Sequence, residues 1–122
     1  MGISIRKGVD LMKFEMNNEE WEIFIVDKGS IKDRYNEENN TEATFVFGLT
    51  IYNEHAIWIN DSMCFAEKIR TLRHELTHCY IWSYGLYNIP HYTEEMVCDI
   101  VAESYGIIER IIMQFAEKMA KK

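Results

Sequence analysis

Proline occurs once in this 122-residue chain, at Pro90, and the sequence has no basic cluster, no long apolar run and no C-x-x-C pair. Each shortage removes a class of function. With 13 Lys and Arg against 20 Asp and Glu, the formal net charge is −7. A surface of that sign repels a phosphate backbone, which argues against nucleic acid as a partner. Arg70 and Arg73 come closest to a basic run, and they read as the solvated face of a helix. The longest uncharged stretch, Thr77 to Tyr92, is broken by Gly85, Asn88 and Pro90, so it does not read as a membrane span. Cys64, Cys79 and Cys98 are odd in number, which fits a reducing compartment better than a disulfide framework. Each falls in a helical stretch, where a small buried hydrophobe is the expected role. No leader pattern opens the sequence. The expectation is a cytoplasmic protein.

What is present is a core. Hydrophobic residues make up 48% and aromatics 13% of the chain, proportions of a folded domain rather than a disordered segment. The length suits one domain, residues 1–122. Trp21 to Val26 is aromatic and β-branched and ends at the turn cluster Asp27-Lys28-Gly29-Ser30, so a strand is expected there. Residues 33–42 are polar without period and read as a solvated loop. Thr44 to Tyr52 and Ala56 to Asn60 are β-rich runs flanking Asn53-Glu54-His55, which suits a hairpin with His55 at the surface. Ser4 to Arg6 and Leu11 to Met16 are shorter strand candidates.

From Met63 onward the pattern is helical. Asp61 or Ser62 can cap a helix whose core stripe is Phe65, Ile69, Leu72, Leu76 and Cys79, with Gly85 as its stop. Thr93 can cap a second, long helix with Glu94 and Glu95 in its first turn. Its stripe is Val97, Val101, Tyr105, Ile108, Ile112, Phe115 and Met119, and Gly106 is a point where it could bend.

The first of these helices carries His74-Glu75-Leu76-Thr77-His78. Residues four apart share a helix face, so both imidazoles can address one metal ion while Glu75 stands beside the remaining coordination position. The pentapeptide alone arises by chance in roughly one or two of a hundred chains of this length and composition. A catalytic zinc site needs a third protein ligand and an open position. Glu95 and Asp99 lie four apart on the second helix, where one carboxylate can bind zinc and the other can fix the tautomer of a ligand imidazole. Glu94 competes for the ligand role but is one step round the helix, and His91 is a further alternative on the connector. Without a metal, the three carboxylates read as a charged helix face. That explains less well two His and a Glu in the middle of a core-facing helix, where unpaired polar groups are costly.

The sequence His74-Glu75-Leu76-Thr77-His78 followed by Glu95-x-x-x-Asp99 resembles the gluzincin pattern, and more narrowly the compact ImmA/IrrE-type metallopeptidases of bacteria, phages and mobile elements. The resemblance covers about the C-terminal two thirds of the chain. It implies an α+β, zincin-like fold in which a small antiparallel or mixed sheet packs on the HExxH helix and a long C-terminal helix. It implies one Zn²⁺ per chain on His74, His78 and Glu95, with Asp99 orienting His74. The expected reaction is hydrolysis of a peptide bond in a polypeptide substrate, with Glu75 taking a proton from a water whose pKa the zinc lowers toward ~7. Tyr80, Tyr84, Tyr87, His91 and Tyr92 are the nearby candidates for an oxyanion donor. The expected substrate-binding edge is Thr44 to Tyr52. The resemblance further implies limited regulatory proteolysis, as of a repressor. The alternatives are a non-catalytic metal-binding module that acts through a protein partner and a zinc-free helical adaptor.

Overall fold

Asn17 and Asn18 have φ of 51° and 66°, and two consecutive left-handed residues close a tight hairpin of the kind asparagine tolerates. In this computed structural model, which describes residues 8–121, the turn joins β1 (Gly8–Met16) to β2 (Glu19–Val26) in antiparallel pairing. The expected strand at Leu11 to Met16 is part of the longer β1, and that at Ser4 to Arg6 lies outside the described residues. β2 runs parallel to β4 (Ala56–Asn60), and β3 (Gly48–Ile51) pairs antiparallel with the other side of β4. The strand order is β1-β2-β4-β3, so the sheet is mixed and β3 is an edge. The fold class is α+β.

Strand alternation sorts the side chains into two layers. Ile23, Ile25, Ile57 and Ile59 meet Leu72, Leu76, Ile108 and Phe115 from the two long helices on one face. Phe24, Val26, Leu49 and Ile51 meet Ile31 on the other. Each such side chain, fully buried, contributes about 1.5–3 kcal/mol relative to exposure.

Ile31 belongs to α1 (Lys28–Asn39), which corrects the reading of residues 33–42 as a loop. Ile31 is the sole buried residue of this helix, so no apolar stripe marks it in the sequence. Its ends are set by polar groups instead. The Asp27 carboxylate accepts hydrogen bonds from the Ser30 backbone N–H at 2.9 Å and the Ser30 hydroxyl at 2.8 Å, and Asn40 ends the helix in the left-handed region at φ 54°. The cluster Asp27 to Ser30 is therefore an N-cap and first turn.

The run Thr44 to Tyr52 is a strand only over Gly48–Ile51, and Tyr52–Glu54 forms a single 3-10 turn before β4. Fully buried Asn60 fixes the segment ahead of β3: its Nδ2 donates to the Val46 carbonyl at 2.9 Å and its backbone N–H to the Phe47 carbonyl at 3.0 Å. His55, expected at the surface, is half-buried. It sits at φ 52° and stacks on buried Trp21 with ring centroids 4.6 Å apart.

α2 (Phe65–Ser83) starts at Cys64 rather than Asp61 or Ser62, and the Glu67 side chain returns to the Cys64 N–H at 3.4 Å. Leu72, Leu76 and Cys79 are fully buried as expected, whereas Phe65 is exposed. Of the three cysteines, only Cys79 is buried, and its burial pushes the thiol up to about 12; Cys64 and Cys98 are exposed. α3 (Glu94–Ala120) begins where expected, with the Thr93 hydroxyl accepting from the Met96 N–H at 3.1 Å. Its N-terminal stripe is corrected: Val97, Val101 and Tyr105 are 48%, 59% and 64% exposed, and the buried residues are Ser104, Ile108, Ile111, Ile112 and Phe115. α3 therefore packs mainly through its C-terminal half. Among the described residues no helix is long and apolar enough to cross a membrane.

Candidate active site

The middle of α2 presents His74, Glu75 and His78 in two directions. Successive helical residues diverge by ~100°, so the two imidazoles share a face while Glu75 turns toward the sheet. His74 and His78 are both exposed, and their rings lie 4.9 Å apart between centroids in an edge-to-face pair. Neither ring takes a hydrogen bond or ion pair from the described residues. Glu75 is 7% exposed.

A carboxylate withdrawn from water needs donors, and β3 supplies one. Thr50, 8% exposed, donates its hydroxyl to Glu75 Oε1 at 2.7 Å. This brings the edge strand and the helix together at the carboxylate. Gly48, two residues earlier and on the same strand face, permits the approach. A Cβ there would lie 2.6 Å from Thr71 Cγ2 and 3.2 Å from Glu75 Oε2. Oε1 is thus engaged by Thr50, while Oε2 faces the space left by the missing side chain.

Two adjoining cavities share Tyr35, Gly48, His74 and Glu75 in their walls. One, of about 460 Å³, extends toward Phe45, Phe47 and Arg70. The other, of about 640 Å³, extends toward His78, Thr50 and Tyr52. Partial burial raises the pKa of the Tyr52 hydroxyl above its ordinary value, and the Glu75 charge adds to the shift.

The pair His74 and His78 fits a zinc ion in donor type, with two neutral-capable imidazoles on one open face. The third donor is not brought to them. Among the described residues no group of three or more His, Cys, Asp or Glu is placed to hold a metal. Glu94, Glu95 and Asp99 are exposed on the first turns of α3, and His91 is exposed in the connector before it. The Arg73–Glu109 pair gives the reason: it sets the level of His74 on α2 beside Glu109 on α3. At 1.5 Å per residue, Glu95 lies roughly 21 Å from Glu109 along the α3 axis, away from that level.

The expected oxyanion donors are mostly committed elsewhere. Tyr80 is buried and packs on Tyr84 with centroids 4.7 Å apart, and the Tyr92 hydroxyl donates to the Leu86 carbonyl at 2.6 Å. Sequence reading overlooks Thr50, Tyr52 and Tyr35. Tyr35 is hidden by the misread helix, but Gly48-x-Thr50 ahead of the motif is a recoverable signal: a residue without a side chain beside a hydroxyl on one strand face. No family model, curated protein or solved structure matches the chain.

Proposed function

We propose that this chain is a zinc-dependent metallopeptidase that hydrolyses a peptide bond in a polypeptide, with Glu75 as the general base. The observation that carries this reading is the state of Glu75. It is buried, anchored by Thr50 of an edge strand, flanked by two outward-facing imidazoles, and opens on both cavities. A purely structural helix has no use for a carboxylate in that place, since an apolar residue would fill it without desolvation cost.

His74 and His78 would hold the metal; the resemblance to gluzincins assigns Glu95 as third ligand and Asp99 as the group behind His74, roles that require the first turns of α3 to close onto α2. When bound, zinc supplies Lewis-acid polarisation of the scissile carbonyl and of an attacking water. The chain's own part is proton handling and alignment. Thr50 holds Oε1, which leaves Oε2 to accept a proton from the nucleophile and return it to the leaving amine. Tyr52, protonated and in the same cavity, is the donor available to a developing oxyanion. An extended peptide can pair with the edge strand β3 and so pass across Glu75. The order of strand, hairpin and HExxH helix supports a zincin-like arrangement. The resemblance further points to limited regulatory proteolysis, as of a repressor in a phage or mobile element, in the cytoplasm.

The test is metal analysis combined with cleavage of a randomised peptide pool read by mass spectrometry. One zinc per chain is expected, lost in His74→Ala and His78→Ala. Glu75→Gln should retain zinc and abolish cleavage, and full activity in that variant would refute the mechanism. A second reading, a non-catalytic metal-binding module working through a partner, is favoured by the exposed Val97, Val101 and Tyr105 on α3. A fourth protein ligand closing the metal site would support it.

A further inference from the structure

Arg70 stands one helical turn before His74, on the face that carries both imidazoles. Its surroundings differ from those of its neighbours in the fold. Arg34 is held by Glu38 and Glu54, and Arg73 by Glu109. Arg70 makes no ion pair or hydrogen bond with the described residues, although the chain has an excess of acidic groups. It lines the 460 Å³ cavity together with an aromatic wall.

That wall is itself unusual. Phe45 and Phe47 pack edge to face at 4.9 Å and yet remain 41% and 48% exposed. The segment that carries them is fixed rather than loose. Asn60 binds the Val46 and Phe47 carbonyls, and Asn36 binds Ala43 through both its amide groups, at 2.9 and 3.0 Å. Exposed aromatic rings held in place by buried or half-buried amides form a preorganised apolar surface, which lowers the ordering cost of binding. A guanidinium without a partner beside such a surface matches a ligand with an apolar body and a carboxylate.

The edge strand fixes which part of a peptide arrives there. β3 runs from Gly48, near the Arg70 cavity, to Ile51 in the wall of the second cavity. A peptide added antiparallel runs the other way, so the residues C-terminal to the scissile bond reach Arg70. We infer that the cavity bounded by Phe45, Phe47 and Arg70 recognises a carboxylate on the C-terminal side of the cleaved bond, paired to Arg70. The carboxylate is either the side chain of an acidic residue or the free C-terminus of the peptide. This rests on the peptidase reading of the site.

The test uses three pools of N-acetylated pentapeptides, random over all residues except Asp and Glu in the first four positions and ending in Leu free acid, Glu amide or Leu amide. Retention on the immobilised full chain, with and without added zinc, is read by mass spectrometry. At least ten-fold enrichment of a carboxylate pool over Leu amide is expected, falling below two-fold in Arg70→Gln and partly restored in Arg70→Lys. Circular dichroism melts check that these exposed-site variants fold. Enrichment of the free acid alone assigns the terminal carboxylate, and of Glu amide alone the acidic side chain. A preference absent from the wild type, or undiminished in Arg70→Gln, overturns the inference, including the case where added zinc alone confers it. Cleavage of uncharged peptides as readily as acidic ones would refute it and leave the peptidase reading standing. Enrichment through Arg70 with no cleavage of any pool would do the reverse.

Discussion

Gly48 and Gly106 make one substitution with two opposite expected outcomes. At Gly48 a new Cβ meets Thr71 Cγ2 at 2.6 Å, Glu75 Cγ at 3.1 Å and Glu75 Oε2 at 3.2 Å. Carbon atoms rest at about 3.5–4.0 Å, so the Thr71 contact falls short by roughly 1 Å. Thr71 is buried and β-branched, with little rotamer freedom to yield. Overpacking of this kind costs about 1–3 kcal/mol. Its offset is the smaller unfolded-state entropy of Ala, about 0.4–1 kcal/mol. The net expectation for Gly48→Ala is a loss of about 1–2 kcal/mol, which for a chain of this length lowers Tm by roughly 4–8 °C.

At Gly106 an added Cβ meets nothing within 4 Å, and the residue is exposed inside α3. Gly106→Ala should therefore gain about 0.8–1 kcal/mol from helix propensity, raising Tm by roughly 3–4 °C. Chemical denaturation and thermal melts of both variants measure the contrast. The partner change Thr71→Ser removes the obstructing methyl, and Gly48→Ala/Thr71→Ser should recover at least half the loss relative to Thr71→Ser alone. A Gly48→Ala protein that melts at or above the wild-type temperature would refute the close seating of β3 on α2, and with it the placement of Glu75 under the edge strand.

Two further outcomes follow from the same contacts. Thr50→Val keeps the side-chain shape and removes the donor to Glu75 Oε1. A buried carboxylate losing such a bond costs about 1.5–3 kcal/mol, so a urea midpoint unchanged within error would show that the bond is not made. The second concerns the Arg73–Glu109 pair between α2 and α3. The hydrogen bonds from Arg73 hold the Glu109 carboxyl below its ordinary value of 4.5. A depressed carboxyl pKa stabilises the fold above the unfolded value and loses that contribution as pH falls through the folded one. The pair is partly exposed and screened, so Glu109→Gln should cost about 0.2–1 kcal/mol at pH 7 and low salt. That difference should close below pH 4.5; a constant gap between pH 7 and pH 3 would contradict the assignment.

The elements most legible in the sequence are those whose burial has a period. β2, β4 and α2 have a repeating apolar face, and the Thr93 cap marks the start of α3 because a hydroxyl before a run of helix formers has one common use. α1 was hidden for the opposite reason: with Ile31 as its sole buried residue, polar caps define it rather than a stripe. The α3 stripe misleads in another way. Val97, Val101, Tyr105, Ile108 and Ile112 follow one helical spacing, but only the second part meets the sheet layer, since α3 extends past the helix it packs against. Periodicity reports which residues share a face and not how far the neighbour reaches.

The site divides along the same line. His74, Glu75 and His78 belong to one helix, so their mutual geometry follows from 3.6 residues per turn and needs no tertiary knowledge. Glu95 and Asp99 share a face for the same reason, but bringing that face to the histidines depends on the axial offset between two helices, which no local pattern encodes. The offset set by Arg73 with Glu109 carries Glu95 beyond the histidines. Thr50 and Arg70 lie between these cases. Thr50 matters only because Gly48 lets the strand close on the helix, and Arg70 only because Phe45 and Phe47 are fixed in the same cavity. Composition makes Arg70 one more charge on a solvated face. Its position in one cavity with a prebuilt aromatic wall, one turn from His74, is what gives that charge a direction.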